Sequence, residues 1–407
     1  MKEHVFSNGL KLIYIERESN LTSVCISIDG GADMEEDIYG LAHATEHMVY
    51  KGTKNRSENK INSDLSAVFG FNNAMTNYPY VIYYGTLLEE DLSKGLDILG
   101  DVIINPIFPE KGFEEEIKVI KEELEEWDEE LEQFTEDKQF FNTFERRRIK
   151  YPIIGRKEDL ENITLKDIKN FYNSFYFPGN SSIAVVSGMD FDEVKFNVWK
   201  VFREWEEKKD IVKKHEEYDD FKEGIYKDYR DGIANSKIQF IFPIEKLNDD
   251  EIKGLRIFNE LFSNGINSIL YNRLRTENGL IYDVIPKIAY EKGIKLYKIT
   301  LGTANANVNN VIEIVNESIR ELTEIIDKLE KEEIENLKKA FKLKRLFREE
   351  QGIILAKELG TYDTMYESYK VYLNEDIHLD YIDKEYLKDL TKKLFSKKSI
   401  QVISNKR

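Results

Sequence analysis

Cysteine is almost absent from this sequence. Cys25 is the only one, so no disulfide framework can hold the fold together. It lies in the apolar run "SVCISI", where a core position is expected. Long hydrophobic runs are also missing. None reaches the roughly 18 residues that a membrane-crossing helix needs, and the opening "MKEHVFSNGLKLIYIERESN" holds no apolar stretch of signal-peptide length. A soluble cytoplasmic protein is the default expectation. A basic excess is lacking too. With 59 Lys and Arg against 77 Asp and Glu, the net charge is −18. That argues against a nucleic-acid or anionic-membrane partner, because both require a basic face. It leaves neutral or cationic peptides open as ligands. Histidine is the last scarce residue, with five in 407 positions.

What is present suggests two domains, since the chain is too long for one ordinary domain. The first half reads as two strands, "GLKLIYIERE" and "TSVCISIDGG", then a helix, a second helix at "INSDLSAVFG", and paired strands in "FNNAMTNYPYVIYYGTL". Further helices and a buried strand, "SSIAVVSG", follow. The composition shifts to "EEKKDIVKKHEEYDDFK", almost all charge, which predicts a linker over 206–222 between domains 1–205 and 223–407. His215 falls in it and is expected to be a solvated residue. The second half repeats the first in order. "NSKIQFIFPI" matches "TSVCISIDGG", "NDDEIKGLRIFNELFS" takes the place of the first helix, and "KLYKITLGTANANVNNVIEIVNESIREL" resembles "VIYYGTLLEEDLSKGLDILGDVI". The expected fold class is α+β, with two repeated roll-like domains, each a mostly antiparallel sheet with helices packed on one face.

Two of the five histidines sit four apart in "YGLAHATEHMVYKGT", residues 39–53. Chance would place such a His-x-x-acid-His pattern on the order of 0.01 times in a chain of this composition. Surface histidines on a solvated helix are the plainer explanation, but Leu41, Ala42, Ala44, Met48 and Val49 make the segment apolar. Buried imidazoles beside a buried carboxylate need partners. On a helix, His43 and His47 share one face and can reach one ion. Imidazole nitrogens suit zinc, which in catalytic sites takes three protein ligands and a water. Glu46 lies on the same side, placed to hold that water and take its proton.

A third ligand is needed. His4 and His378 are isolated in the sequence, whereas "GFEEEIKVIKEELEEWDEELEQF", 112–134, is rich in carboxylates. Most of these are expected to face solvent. Phe113, Ile117, Ile120, Leu124, Trp127 and Leu131 form one apolar stripe at helical spacing. At about 100° per residue, Glu116 and Glu123 fall at the edge of that stripe, and Glu115 and Glu122 on the far side. The periodicity selects the pair Glu116 and Glu123 without choosing between them.

The histidine motif, followed by "GFNNAMTNYPYVIYY", "EEIKVIKEEL", "YPIIG" and "LRTENGLIYDV" in that order, resembles the pitrilysin/insulysin family of zinc metallopeptidases. The likeness is greatest to its half-length, mitochondrial-processing-peptidase branch. It implies that Glu123 is the third zinc ligand, that Glu116 supports the ligand set, and that Glu46 is the catalytic base. It also implies that Asn73 and Ala74 contact an extended peptide, and that Arg275 and Tyr282 hold the substrate carbonyl. Tyr151 departs from the pattern, standing where relatives often have histidine. The activity implied is zinc-dependent cleavage of peptides or unfolded segments, in a chamber formed by a homodimer. A partner-dependent or non-catalytic subunit of a heterodimer is the alternative.

Overall fold

The computed structural model describes residues 1–207 and 220–405. His215 and most of the charged stretch around it lie outside the described residues. The rest forms two sheets and two compact units.

The first sheet contains six strands: β1 Lys2–Val5, β2 Lys11–Glu16, β3 Leu21–Ile28, β4 Phe69–Thr76, β5 Val81–Leu88 and β6 Ser181–Ser187. Their order is β1-β2-β6-β3-β5-β4. The consecutive runs that became β2 and β3 do not pair with each other. β6 enters between them, parallel to β2 and antiparallel to β3. β3 is buried along almost its whole length, as a central strand covered on both faces must be. β4 and β5 do pair, antiparallel across the turn at Pro79, and β4 forms the edge.

The second sheet contains β7 Gly224–Tyr229, β8 Ser236–Pro243, β9 Ile281–Glu291, β10 Ile294–Thr303 and β11 Ser399–Ser404. Its order is β7-β11-β8-β10-β9. One neighbour pair is parallel (β7 with β11) and the rest are antiparallel. The same order and senses run through β2-β6-β3-β5-β4 of the first sheet. The two halves are therefore one topology used twice. In each, a helix follows the central strand: Leu41–Val49 after β3 and Asp249–Phe262 after β8.

The compact units are not continuous in sequence. The first contains Met1–Glu126, Phe347–Leu373 and the described part of Tyr151–Glu216; Trp127–Lys150 belongs to the second. Packing explains both displacements. Helix Gly352–Tyr366 lays Leu355, Ala356, Leu359 and Met365 against Cys25, Ile82, Ala184 and Val186 of the first sheet. Each of its large apolar side chains gains about 2 kcal/mol by leaving water. Helix Leu131–Thr143 covers the second sheet through polar contacts instead. Gln139 donates to the Ser399 carbonyl at 2.9 Å, Asn142 to Gln401 at 2.9 Å, and Thr143 bonds the Ser399 hydroxyl at 2.7 Å.

No helix among the described residues is long and apolar enough to cross a membrane.

Candidate metal centre

Helix Leu41–Val49 starts at Gly40, whose φ is +85°. A Cβ there would meet the Ile154 carbonyl oxygen at 2.4 Å, so glycine is required for both conformation and space. The first turn is capped by Glu35. Its carboxylate accepts from the backbone N–H of Gly40 at 3.1 Å and of Ala42 at 2.8 Å, satisfying donors that helix N-termini leave free. The helix buries Ala42, Ala44, Thr45, Glu46, Met48 and Val49. This fixes its rotation and turns His43 and His47 the same way, with ring centroids 4.5 Å apart.

The glutamate-rich segment forms a helix, Glu110–Glu129. The apolar stripe does not continue along it to Leu131. The backbone leaves helical geometry at Glu130, and Leu131 opens the next helix. Within the first helix the periodicity holds. Ile120 is buried, Glu116 and Glu123 are half-buried, and Glu115 and Glu122 are exposed.

His43, His47 and Glu123 each direct one ligand atom into a common space, all within 4.8 Å of one another. His43 Nε2 lies 3.8 Å from Glu123 Oε1, and His47 Nε2 lies 3.5 Å from Glu123 Oε2. These separations suit a metal better than hydrogen bonds. Two atoms bound tetrahedrally to zinc at about 2.05 Å are about 3.3 Å apart. Burial and the nearby His47 hold His43 down to about 3, so its ring is neutral at pH 7 and offers a lone pair. Its Nδ1 is buried with no hydrogen-bond partner among the described residues. Burial raises the Glu123 carboxyl, as do Glu126 and Glu116. A cation between these three groups would relieve that strain.

Glu116 takes a different part. His47 Nδ1 meets Glu116 Oε1 at 2.8 Å, and Lys51 Nζ meets its other oxygen at 2.9 Å. Burial opposes ionisation of Glu116, but these two partners keep its carboxyl below the usual range. Burial alone would lower His47; its bond to Glu116 together with the charges of Glu46, Glu123 and Glu116 outweighs that and raises it. With Nδ1–H donating to the Glu116 carboxylate, Nε2 is the His47 atom that faces Glu123. Glu123 sits in the cluster and Glu116 sits behind His47.

Glu46 is buried. Its carboxylate accepts a 2.6 Å hydrogen bond from the Thr76 hydroxyl, and burial pushes its carboxyl upward. Asn73 and Ala74 lie on β4, with the Asn73 side chain accepting from the Ala74 N–H at 2.9 Å. Among the described residues β4 pairs only with β5, which leaves its other edge without a strand partner.

Arg275 and Tyr282 lie in the second unit and come together there. The guanidinium stands 5.3 Å over the Tyr282 ring and donates to the Ile281 carbonyl at 3.0 Å. Tyr282 is 78% exposed and borders a cavity of about 370 Å³ with Leu131, Ile233, Ala234 and Ser236. His4 sits on β1 against Phe6, and His378 adopts positive φ. Neither belongs to the metal cluster.

Three residues around the centre were not marked by the sequence reading: Glu35, Lys51 and Thr76. Glu35 lies five positions before Gly40, outside the positions where a cap is read from sequence. Lys51 and Thr76 carry no signal either, because Glu116 and Glu46 reach them from other elements.

Comparison with known proteins decides the family. Residues 12–157 match "Insulinase (Peptidase family M16)" and residues 162–341 match "Peptidase M16 inactive domain". The chain belongs to the M16 peptidase family. An uncharacterized zinc protease from Rickettsia felis is 24% identical over 325 residues, 79% of this chain and 76% of that protein. A probable mitochondrial-processing peptidase subunit beta from Arabidopsis thaliana is 29% identical over 200 residues, 48% of this chain and 37% of that protein. A crystal structure of a protease from Helicobacter pylori shares the fold, with TM-score 0.89 and 19% identity over 99% of this chain and 98% of that one. The M16 match labelled inactive covers most of the second half of the chain, and the metal cluster lies in the region of the other M16 match.

Proposed function

We propose that this M16 member is a zinc-dependent endopeptidase acting on peptides or unfolded segments. The observation that carries the reading is the convergence of His43, His47 and Glu123 on one space, with the buried carboxylate of Glu46 beside it. Zinc held by those three residues would act as a Lewis acid and bring the ionisation of a bound water near neutral pH. Glu46 takes a proton from the water that attacks the scissile carbonyl, then passes it to the departing amine nitrogen. Glu116 keeps the His47 ring in the ligating tautomer. Asn73 and the main chain at Ala74 align the peptide along β4. Arg275 and Tyr282 hold the substrate carbonyl as charge develops on its oxygen.

The working unit in this reading is a homodimer, each chain lending Arg275 and Tyr282 to its partner's zinc. Symmetric pairing is also the commonest soluble assembly. The test starts with purified chain and a mixed peptide library read by mass spectrometry. Cleavage should stop with a strong chelator and return with zinc. Glu46→Gln and Arg275→Ala chains, each nearly inactive alone, should recover about a quarter of wild-type activity when mixed and exchanged. Exchange without recovery would remove the shared-site arrangement. Cleavage that ignores the chelator would remove the metallopeptidase itself.

A further inference from the structure

We propose that Thr76 is the positioning residue for Glu46, holding the base from the strand whose open edge would receive the substrate. This rests on the peptidase reading above. Thr76 is the last residue of β4 and pairs with Val81 of β5. Its hydroxyl and the Glu46 carboxylate meet at 2.6 Å, and both residues are buried. The partners come from different elements, 30 positions apart, so the contact is tertiary and not a by-product of local turn geometry.

The chemistry requires such a contact. Glu46 must stay close to the metal space without entering it. Its carboxylate is not among the three ligand atoms that converge, although it is next to His47 in the chain. A carboxylate left free there could rotate onto the ion as a fourth protein ligand and occupy the position water needs. The Thr76 hydroxyl donates to Oε2. That fixes the carboxylate plane and leaves Oε1 to accept the proton. As the water oxygen bonds to the carbonyl carbon, its proton moves to Oε1. As the C–N bond breaks, that proton moves to the amine nitrogen. Thr76 exchanges no proton in either step; it keeps the acceptor aimed.

The placement on β4 adds a consequence. Peptide pairing along that edge and aiming of the base depend on one strand. A peptide that orders β4 would order Thr76 with it.

The test uses the full chain loaded with one equivalent of zinc, a quenched fluorescent peptide for kcat and KM, and chelator competition for zinc affinity. Thr76→Val keeps the branched shape and removes the hydroxyl. It should lower kcat about 10- to 100-fold, the size of a lost hydrogen bond to a charged group. KM and zinc affinity should stay unchanged. Thr76→Ser, which keeps the hydroxyl, should restore kcat to within about threefold of wild type. In a Glu46→Gln background, Thr76→Val should cost nothing further. Wild-type kcat in Thr76→Val overturns the proposal. So does a Thr76→Ser chain as slow as Thr76→Val, or zinc affinity that falls in step with activity. A wild-type chain that neither binds zinc nor cleaves peptide overturns the peptidase reading first, and this inference with it.

Discussion

In the first unit the helix after β3 faces helix Glu110–Glu129, and the residues that meet are His43, His47 and Glu123. In the second the helix after β8 faces Lys331–Glu349, and the residues that meet are Glu260 and Lys344, 2.5 Å apart. Asn264 donates to the other Glu260 oxygen at 2.6 Å. The sheets beneath have the same strand order. What differs is what stands opposite the glutamate. In the second unit it is Lys344, and the polar pair is closed. In the first, the ion-pair partners of Glu123 among the described residues are two histidines at 3.5 and 3.8 Å, one of them held neutral by burial. The second unit sets a lysine against its buried glutamate, and the first brings two histidine nitrogens and a Glu123 oxygen together.

This contrast can be broken or sharpened by substitution. The largest effect is expected from Glu46→Gln, which removes the proton acceptor and leaves the ligands. Peptide turnover should fall by about a hundred- to ten-thousand-fold while zinc stays bound; loss of zinc would show that Glu46 is a ligand. The glutamates of helix Glu110–Glu129 come next. Glu123→Gln should weaken zinc binding by more than about a hundredfold, Glu116→Gln by about 10- to 100-fold, and exposed Glu122→Gln hardly at all. Chelator competition ranks them, and zinc release by Glu122→Gln with retention by Glu123→Gln would refute the helix-face assignment.

Smaller effects separate the units by what they cost. Lys344→Met leaves buried Glu260 with Asn264 alone, and should lower stability by about 1–2 kcal/mol, discounted because Lys344 is half exposed. Zinc content should not change. Glu123→Gln should do the reverse to the metal-free protein, leaving its melting temperature unchanged or slightly higher, because Glu123 is a carboxyl that burial already disfavours when charged.

A pH dependence is expected in the second unit. Asp137, between Trp127 and Gln133, is pushed up by burial to about 7. A carboxyl raised on folding binds its proton more tightly in the folded state, so its contribution to stability is lost as pH rises from about 4 to about 7 and is flat above. Asp137→Asn does not titrate. Relative to wild type it should therefore gain stability between pH 4 and 8, up to about 4 kcal/mol if the whole shift is expressed. Denaturant melts at both pH values measure it, and a constant difference would mean that Asp137 is not raised.

Much of this comparison was legible in the sequence, for reasons that can be named. The motif helix, the β4–β5 pair and the repeat order follow from apolar period and turn residues, which are local. The edge positions of Glu116 and Glu123 follow from counting around a helix. The insertion of β6 between β2 and β3 could not be read, because pairing partners 171 residues apart leave no local mark (Leu12 opposite Ile183, for instance). The placement of helix Gly352–Tyr366 in the first unit is hidden for the same reason. Its apolar face says that it is buried, not where. Thr76 and Lys51 are ordinary residues until the fold sets them beside Glu46 and Glu116.

The most direct test of the metal centre is anomalous scattering at the zinc edge from crystals of the purified chain. One strong peak per chain is expected, about 2 Å from His43 Nε2, His47 Nε2 and a Glu123 oxygen, and none beside Glu260 and Lys344. A peak bound by Glu116 in place of Glu123, or no peak at the histidines in zinc-soaked crystals, would contradict the account.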